Sequence, residues 1–135
     1  MMDKDCVFCK ILSGELPSYK IYENEYVYAF LDISMDSVGH TLVIPKEHYI
    51  NSIDCDMIYY LEVQKAVKLI SEHYVNDCGY TGVNILNANG KDAQQTVFHY
   101  HVHIVPRKED DGLDAWPLKD KMSLDLAKIA EKLHF

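Results

Sequence analysis

The sequence predicts an α+β fold: an antiparallel sheet of about five strands, two main helices and a further helix at the C-terminus. Three observations predict it. Short runs rich in Val, Ile, Tyr and Phe recur along the chain, one long segment has helical spacing, and the strands follow one another without regular βαβ alternation. The 135 residues, 48% of them hydrophobic, suffice for the core of one domain over residues 1–135.

The first half of the chain predicts a short helix followed by three strands. We expect Asp5 to cap the helix, and Gly14 and Pro17 to end it. The strands are runs of β-branched and aromatic residues, and Pro45 ends the third of them. The expected bounds are 6–13 for the helix, 19–23, 26–33 and 40–44 for the strands, and 36–39 for a loop.

The second half predicts a long helix, two strands and a last helix. Apolar residues recur at intervals of three and four over 54–76, which indicates a helix with one buried face that ends at Cys78 and Gly79. Ser123 is expected to cap a helix that reaches Leu133. The expected strands are 82–86 and 97–105, the second ended by Pro106, and the expected loops are 87–92 and 108–112.

Charge and composition exclude several classes of function. The formal net charge is −8, so the chain lacks the clustered cations of a general nucleic-acid-binding protein. The sequence contains no run of about 18 apolar residues, so no membrane span is predicted. Its N-terminus has no apolar signal segment. A cytoplasmic location is therefore expected, in which the four cysteines do not form structural disulfides.

The last predicted strand carries three of the chain's seven histidines. Side chains of a strand alternate between its faces, so His99, His101 and His103 are expected to line one groove, with neighbours about 6.5 Å apart. That spacing suits three ligands of one metal ion poorly. The opposite, buried face is expected to carry Phe98, Tyr100, Val102 and Ile104.

A row of imidazoles suits phosphoryl chemistry. Neutral imidazole is a nucleophile near pH 7 and needs no strong base to activate it. It attacks phosphorus to form a phosphoramidate, which water hydrolyses in a second step. Neighbouring imidazoles can carry protons or donate hydrogen bonds to phosphate oxygens. The strand therefore predicts double displacement through a covalent intermediate.

The segment 99–105, His-Tyr-His-Val-His-Ile-Val, resembles the signature of the histidine triad (HIT) family. Further blocks at 29–34, 39–48 and 94–98 also resemble this family, in its order, and the branch that they resemble is the bacterial, Hint-like one. The resemblance implies a HIT fold with a core at about 5–107 and a C-terminal extension over 108–135. It also implies a homodimer.

The resemblance assigns the catalytic roles. His101 matches the nucleophile, which attacks the α-phosphate of a nucleotide derivative and holds the nucleotidyl group. His103 matches the histidine that contacts the phosphate, and Thr96 matches a serine on the phosphate side. His40 matches a further histidine near the catalytic strand, for which a structural hydrogen bond is an equally good interpretation. His99 is the first histidine of the triad.

The resemblance also implies a nucleotide site. Asp32 matches a ribose-binding carboxylate, which can accept hydrogen bonds from both ribose hydroxyls. Ala88 stands where family members commonly have an asparagine, so Asn87 or Asn89 takes that role, and Gln94 stands where glycine is common. The apolar slot for the purine base is expected from Val7, Phe8, Ile11, Phe30 and Ile33, with Gln95 and Val97 near the phosphate.

The pair Cys6 and Cys9 is a C-x-x-C motif, which alone fits half a zinc site, a redox pair or two inert thiols. No second C-x-x-C accompanies it. The resemblance supplies two further ligands, His48 and His99, for a structural zinc ion with all four positions filled. No organic cofactor is expected.

The predicted function is hydrolysis or nucleotidyl transfer at the α-phosphate of purine nucleotide conjugates such as adenosine phosphoramidate. One alternative is a dinucleoside polyphosphate hydrolase that uses the same nucleophile. Another is a metallohydrolase in which His99 and His101 bind a catalytic metal. A third is a nucleotide-binding or partner-binding regulatory protein with little turnover. Purine nucleotides are the expected ligands in each nucleotide-dependent case.

Overall fold

The computed structural model describes residues 2–135 and confirms the predicted α+β class. A short 3-10 helix, Lys91–Ala93, lies within the segment predicted as a loop. The helices are α1 (Val7–Leu12), α2 (Met57–Asn76) and α3 (Leu126–Leu133), and the strands are β1 (Lys20–Glu23), β2 (Val27–Leu31), β3 (Thr41–Pro45), β4 (Gly82–Leu86) and β5 (Val102–Arg107).

The five strands form one antiparallel sheet in the order β1-β2-β3-β5-β4. The first three strands pair in sequence, and β5 then enters between β3 and β4. His103 is paired with Leu42 on one side and with Leu86 on the other. The topology therefore places the triad's last histidine at an interior strand of the sheet.

Apolar clusters cover both faces of the sheet. On one face, α2 buries Val63, Val67 and Ile70 against Val102 and Ile104 of β5. The other face carries α1, because the alternate residues of β2 and β3 point that way. This second cluster comprises Cys6, Phe8, Cys9, Phe30, Leu42 and Ile44.

Two predicted helix caps are wrong. The N-cap of α1 is Cys6, whose sulfur accepts the backbone N–H of Cys9, rather than Asp5. The side chain of Asp125, not that of Ser123, caps α3 by accepting the backbone N–H of Lys128. In both cases the cap is the residue directly before the helix, because only a side chain there reaches the free N–H groups of the first turn.

The predicted strand 97–105 is wrong at both ends, since β5 spans Val102–Arg107. The backbone N–H of Tyr100 donates to the carbonyl oxygen of Tyr49 at 2.7 Å, so this segment pairs with the loop after β3. Pro106 lies inside β5, which is tolerated because β3 pairs with β5 only as far as Ile104. Tyr100, Val102 and Ile104 are buried as expected, whereas Phe98 is 49% exposed.

No helix within residues 2–135 combines the length and the apolar composition needed to span a bilayer.

Candidate active site and metal centre

The ring of His101 is oriented by a hydrogen bond to the backbone two residues earlier. Its Nδ1 lies 2.7 Å from the carbonyl oxygen of His99. A carbonyl oxygen only accepts hydrogen bonds, so Nδ1 carries the proton and Nε2 keeps its lone pair. Phe8 packs edge-on against the ring with centroids 5.2 Å apart, and burial lowers the pKa of His101. The result is a neutral imidazole with one unprotonated nitrogen, the form that acts as a nucleophile.

Two asparagines support the backbone at His101. Asn87 Nδ2 donates to the carbonyl oxygen of His101 at 3.0 Å. Asn89 Nδ2 donates to Asn87 Oδ1 at 2.7 Å, and Asn89 Oδ1 accepts the backbone N–H of Ser52 at 2.9 Å. Of the two candidates around Ala88, Asn87 thus touches the triad directly and Asn89 orients Asn87.

His103 forms a pair with His40. Nε2 of His40 lies 2.9 Å from Nδ1 of His103, and Nδ1 of His40 lies 2.9 Å from Oδ1 of Asp36. The ring of His103 is also 4.9 Å from the ring of His101, centroid to centroid. Burial, with the neighbouring His101 and His40, lowers the pKa of His103 to about 4. The hydrogen bond from His40 lowers the pKa of Asp36.

Asp32 directly follows β2 and faces the same histidine. Its Oδ1 accepts the backbone N–H of Ser34 at 2.8 Å, and its Oδ2 lies 3.7 Å from Nε2 of His40. Asp32, Ile33, Asp36 and His40 line a cavity of about 740 Å³. His101 is 5% exposed and is not among the lining residues; it lies next to His103, the hydrogen-bond partner of His40.

The residues of the expected base slot differ in exposure. Phe8 and Phe30 are buried and pack edge to face with centroids 5.5 Å apart. Ile11 is half-buried. Val7 and Ile33 are exposed, Ile33 to 77%. The two phenylalanines therefore belong to the packed cluster around α1, whereas Val7 and Ile33 offer free apolar surface.

Gln95 holds the loop before the triad. Its Nε2 donates to the carbonyl oxygens of Ile50 and Val97, and its Oε1 accepts the backbone N–H of Gly90. Gln94 has a φ of 69°, in the left-handed region where glycine is favoured, which explains why glycine suits this position. Thr96 is exposed, and with Val97 it lines a separate cavity of about 310 Å³.

A second cluster contains the two cysteines of the C-x-x-C motif. Nδ1 of His99 lies 3.4 Å from the sulfur of Cys6 and 3.5 Å from that of Cys9. Nδ1 of His48 lies 3.3 Å from the sulfur of Cys9 and 3.2 Å from Nδ1 of His99. Nε2 of His99 donates to the carbonyl oxygen of Pro45 at 3.1 Å, which leaves Nδ1 free to bind a metal.

This donor set fits a tetrahedral zinc ion. Zn–N and Zn–S bonds of about 2.0–2.3 Å place adjacent ligands of a tetrahedron roughly 3.3–3.8 Å apart, close to the observed distances. Burial lowers the pKa of His99 to about 4, so its ring is neutral as a ligand requires. Burial raises the pKa of the Cys6 thiol, a tendency that a bound dication would reverse. Four protein donors leave no position for a substrate.

The expected groove lined by all three triad histidines is wrong. His99 is fully buried and its two nitrogens face Pro45 and the cysteines, because the chain bends at 97–99 before β5 begins. The metallohydrolase alternative loses its support, since neither nitrogen of His99 is available to an ion shared with His101. Asp36 was missed from sequence, where only its position four residues before His40 could have indicated it.

Comparisons with known proteins agree with this geometry. A model of the HIT domain matches residues 13–110. A HIT family protein of Bacillus subtilis has a similar crystal structure, with a TM-score of 0.83 and 42% identity, covering 96% of this chain and 95% of that one. This chain belongs to the HIT family.

Two further relatives bear on the chemistry. The adenosine 5′-monophosphoramidase of Candida albicans is 37% identical, over 95% of this chain and 88% of its own. A Zn-bound histidine triad family protein of Mycobacterium smegmatis has a TM-score of 0.77 and 38% identity, and covers 86% of this chain and 84% of that one.

Proposed function

We propose that this protein is a nucleotide phosphoramidase of the HIT family that cleaves purine nucleotide conjugates at the α-phosphate, with His101 as the nucleophile. The observation that carries the proposal is the hydrogen bond from Nδ1 of His101 to the carbonyl oxygen of His99, at 2.7 Å. It leaves the lone pair on Nε2 for attack on phosphorus. The activity of the Candida albicans relative supports the same assignment.

The proposed reaction has two displacements. In the first, Nε2 of His101 forms a bond to the α-phosphorus, and the bond from phosphorus to the leaving nitrogen breaks as that nitrogen takes up a proton. In the second, water attacks the phosphorus, the P–N bond to His101 breaks, and the nucleoside monophosphate leaves. His103, whose ring is 4.9 Å from that of His101, is the neighbouring group placed to hydrogen-bond the phosphoryl oxygens.

The proposed nucleotide site extends from the triad in two directions. Asp32 binds the ribose through its Oδ2, since its Oδ1 already accepts the backbone N–H of Ser34. The exposed surfaces of Val7 and Ile33 cover the purine, with Phe8, Phe30 and Ile11 packed behind or beside them. Thr96 contacts the phosphate side, while Gln95, Asn87, Asn89 and Val97 shape the loops around it.

Cys6, Cys9, His48 and His99 are the proposed ligands of a structural zinc ion. Bound there, the ion cross-links α1 to the segment before β5. This chain uses His99 twice, since its ring belongs to the ligand set and its carbonyl oxygen holds His101. Fixing the ring of His99 therefore also fixes the acceptor that orients the nucleophile.

The remaining elements of the proposal follow the family. We propose one HIT domain over residues 1–135 with a core at about 5–107, a homodimeric assembly, and a cytoplasmic setting that keeps the four free cysteines reduced.

The test is a comparison of substrates. Wild-type protein and His101→Ala are incubated with adenosine phosphoramidate and with diadenosine polyphosphates, and kcat/KM is measured for each. We expect adenosine phosphoramidate to be the better substrate and His101→Ala to lose several orders of magnitude while keeping its fold. A preference for dinucleotides would favour the polyphosphate hydrolase, and binding without turnover would favour the regulatory protein.

A further inference from the structure

A chain of hydrogen bonds runs from the loop between β2 and β3 to the triad. Asp36 Oδ1 is 2.9 Å from Nδ1 of His40, and Nε2 of His40 is 2.9 Å from Nδ1 of His103. The ring of His103 lies beside that of His101. An exposed carboxylate is thus connected through two imidazoles to the neighbour of the proposed nucleophile.

The donor and acceptor capacities of the side chains determine where the protons lie along this series of hydrogen bonds. An ionised carboxylate only accepts hydrogen bonds. Nδ1 of His40 therefore carries a proton and donates a hydrogen bond to Asp36. With His40 neutral, its Nε2 is an acceptor, and Nδ1 of His103 must donate to it. Neutral His103 then has a bare Nε2. With one additional proton on Nε2 of His40, the central hydrogen bond reverses, and the proton of His103 lies on its Nε2.

We propose that Asp36 is a positioning residue that sets this proton order, so that proton uptake at His40 turns Nε2 of His103 from an acceptor into a donor toward the phosphoryl group. The inference rests on the proposed function. A bare nitrogen repels phosphate oxygens, whereas an N–H group stabilises the negative charge that develops on them. The anionic charge of Asp36 favours the state with the additional proton.

The groups around His40 agree with this role. Asp32 Oδ2, from the end of β2, lies 3.7 Å from Nε2 of His40 and adds a second negative charge. His103 and His101 of the triad segment are the facing imidazoles, and both have lowered pKa values because they are buried. Of these three imidazoles, His40 is the one flanked by two carboxylates, with Asp36 at 2.9 Å from its Nδ1 and Asp32 at 3.7 Å from its Nε2. Lys108 and Asp111 carry the remaining charges that line the adjoining cavity.

The loop that carries Asp36 is fixed close to His40. Gly39 has a φ of +82°, and a Cβ there would lie 3.1 Å from Pro106 Cγ and 3.2 Å from the hydroxyl of Tyr80. The backbone therefore packs tightly against β5 and the segment before β4. This packing anchors the end of the loop at Gly39, directly before His40 and three residues after Asp36.

Elsewhere in the protein a second aspartate–histidine pair provides a matched control for Asp36. Asp77 and His73 form another aspartate–histidine pair four residues apart, at 2.8 Å from carboxylate oxygen to Nδ1. The side chain of Asp77 is 65% exposed, and that of Asp36 is 62% exposed. Asp77→Asn therefore removes the same charge from the same kind of pair without touching the triad.

The first experiment measures kcat/KM for adenosine phosphoramidate against pH in wild type, Asp36→Asn and Asp77→Asn. Asp36→Asn keeps a hydrogen-bond acceptor and removes the charge. We expect the alkaline limb of the pH profile of kcat/KM to move about one pH unit lower in this variant, because an anion close to His40 has been lost. Activity at neutral pH then falls by up to about tenfold and recovers on acidification, while Asp77→Asn follows wild type. An equal loss at every pH, or no shift, would overturn the inference.

The second experiment requires no substrate. Nitrogen-15 NMR of the histidine rings distinguishes the two tautomers of His40 in wild type, Asp36→Asn and Asp36→Ala. We expect a proton on Nδ1 of His40 in wild type at neutral pH, and a shift toward the Nε2 tautomer in Asp36→Ala. A bare Nδ1 in wild type would refute the inference. If wild type instead shows this tautomer but hydrolyses no nucleotide conjugate, the proposed function fails and the proton order stands.

Discussion

Removal of the proposed zinc ion is expected to destabilise the protein strongly, and Cys9→Ser is the substitution that tests this. Cys9 is the proposed ligand whose sulfur contacts both histidines, at 3.3 Å from His48 and 3.5 Å from His99. Its loss leaves three of the four proposed ligands, of which the half-buried His48 and the buried His99 would no longer be held by a shared cation. The segment that holds the carbonyl oxygen of His99 then keeps only the packing of Phe8 against His99 and His101 as its link to α1.

The magnitude follows from binding linkage. Zinc at a thousandfold excess over its Kd stabilises the folded state by about 4 kcal/mol. A chain of this length has an unfolding entropy of roughly 0.28 kcal/mol per kelvin near its Tm, at about 2.1 cal/mol per kelvin per residue. The expected fall in Tm is therefore about 15 °C.

The assay is differential scanning calorimetry of wild type with and without a chelator, of Cys9→Ser, and of Cys55→Ser as control. Cys55 is a partly buried thiol two residues before α2, outside the proposed ligand set, with a pKa raised to about 11 chiefly by burial. Zinc content is measured by elemental analysis of the same samples. Stoichiometric zinc in Cys9→Ser, or an unchanged Tm after demonstrated metal loss, would refute the assigned ligands.

Three further outcomes are expected. Asn87→Ala removes the donor to the carbonyl oxygen of His101 and should lower kcat/KM about 2- to 12-fold, whereas equal activity would show that this contact does not position the nucleophile. Gln94→Gly should raise the free energy of unfolding by about 0.5–1 kcal/mol in urea titrations, because Gln94 has a left-handed backbone. The pKa of His103 in the folded state, about 4, lies below its ordinary value of 6.5. The stability that the neutral His103 ring contributes is therefore complete above pH 6.5 and is lost as the pH falls toward 4. The free energy of unfolding of His103→Gln should therefore fall less than that of wild type over that pH interval. An equal dependence of the free energy of unfolding on pH in the two proteins would contradict this assignment.

Periodicity predicted most of the fold, because burial imposes it directly. The spacing of Val63, Val67 and Ile70 predicted the buried face of α2, and the short β-branched runs predicted the strands. The ends of β5 could not be predicted in this way. Alternation in the sequence continues through residues 98–101, but the backbone of Tyr100 pairs with Tyr49, a contact between segments about fifty residues apart.

The same long-range contact separates the three triad histidines. A regular strand would place His99 beside His101, whereas the bend turns its ring toward Cys6 and Cys9. The family resemblance supplied this ligand set, which spacing alone left open. Asp36 was missed because a single exposed aspartate in a loop carries no pattern, and its importance appears only when its oxygen is seen 2.9 Å from His40.

The nucleotidyl intermediate is the most direct test of the account. Protein mixed with adenosine phosphoramidate is quenched at alkaline pH within one turnover, digested and examined by mass spectrometry. A nucleotidyl group on the peptide that contains His101, bonded to Nε2 and absent from His101→Ala, is the predicted result. Full turnover with the modification on another residue, or by the His101→Ala protein itself, would contradict it.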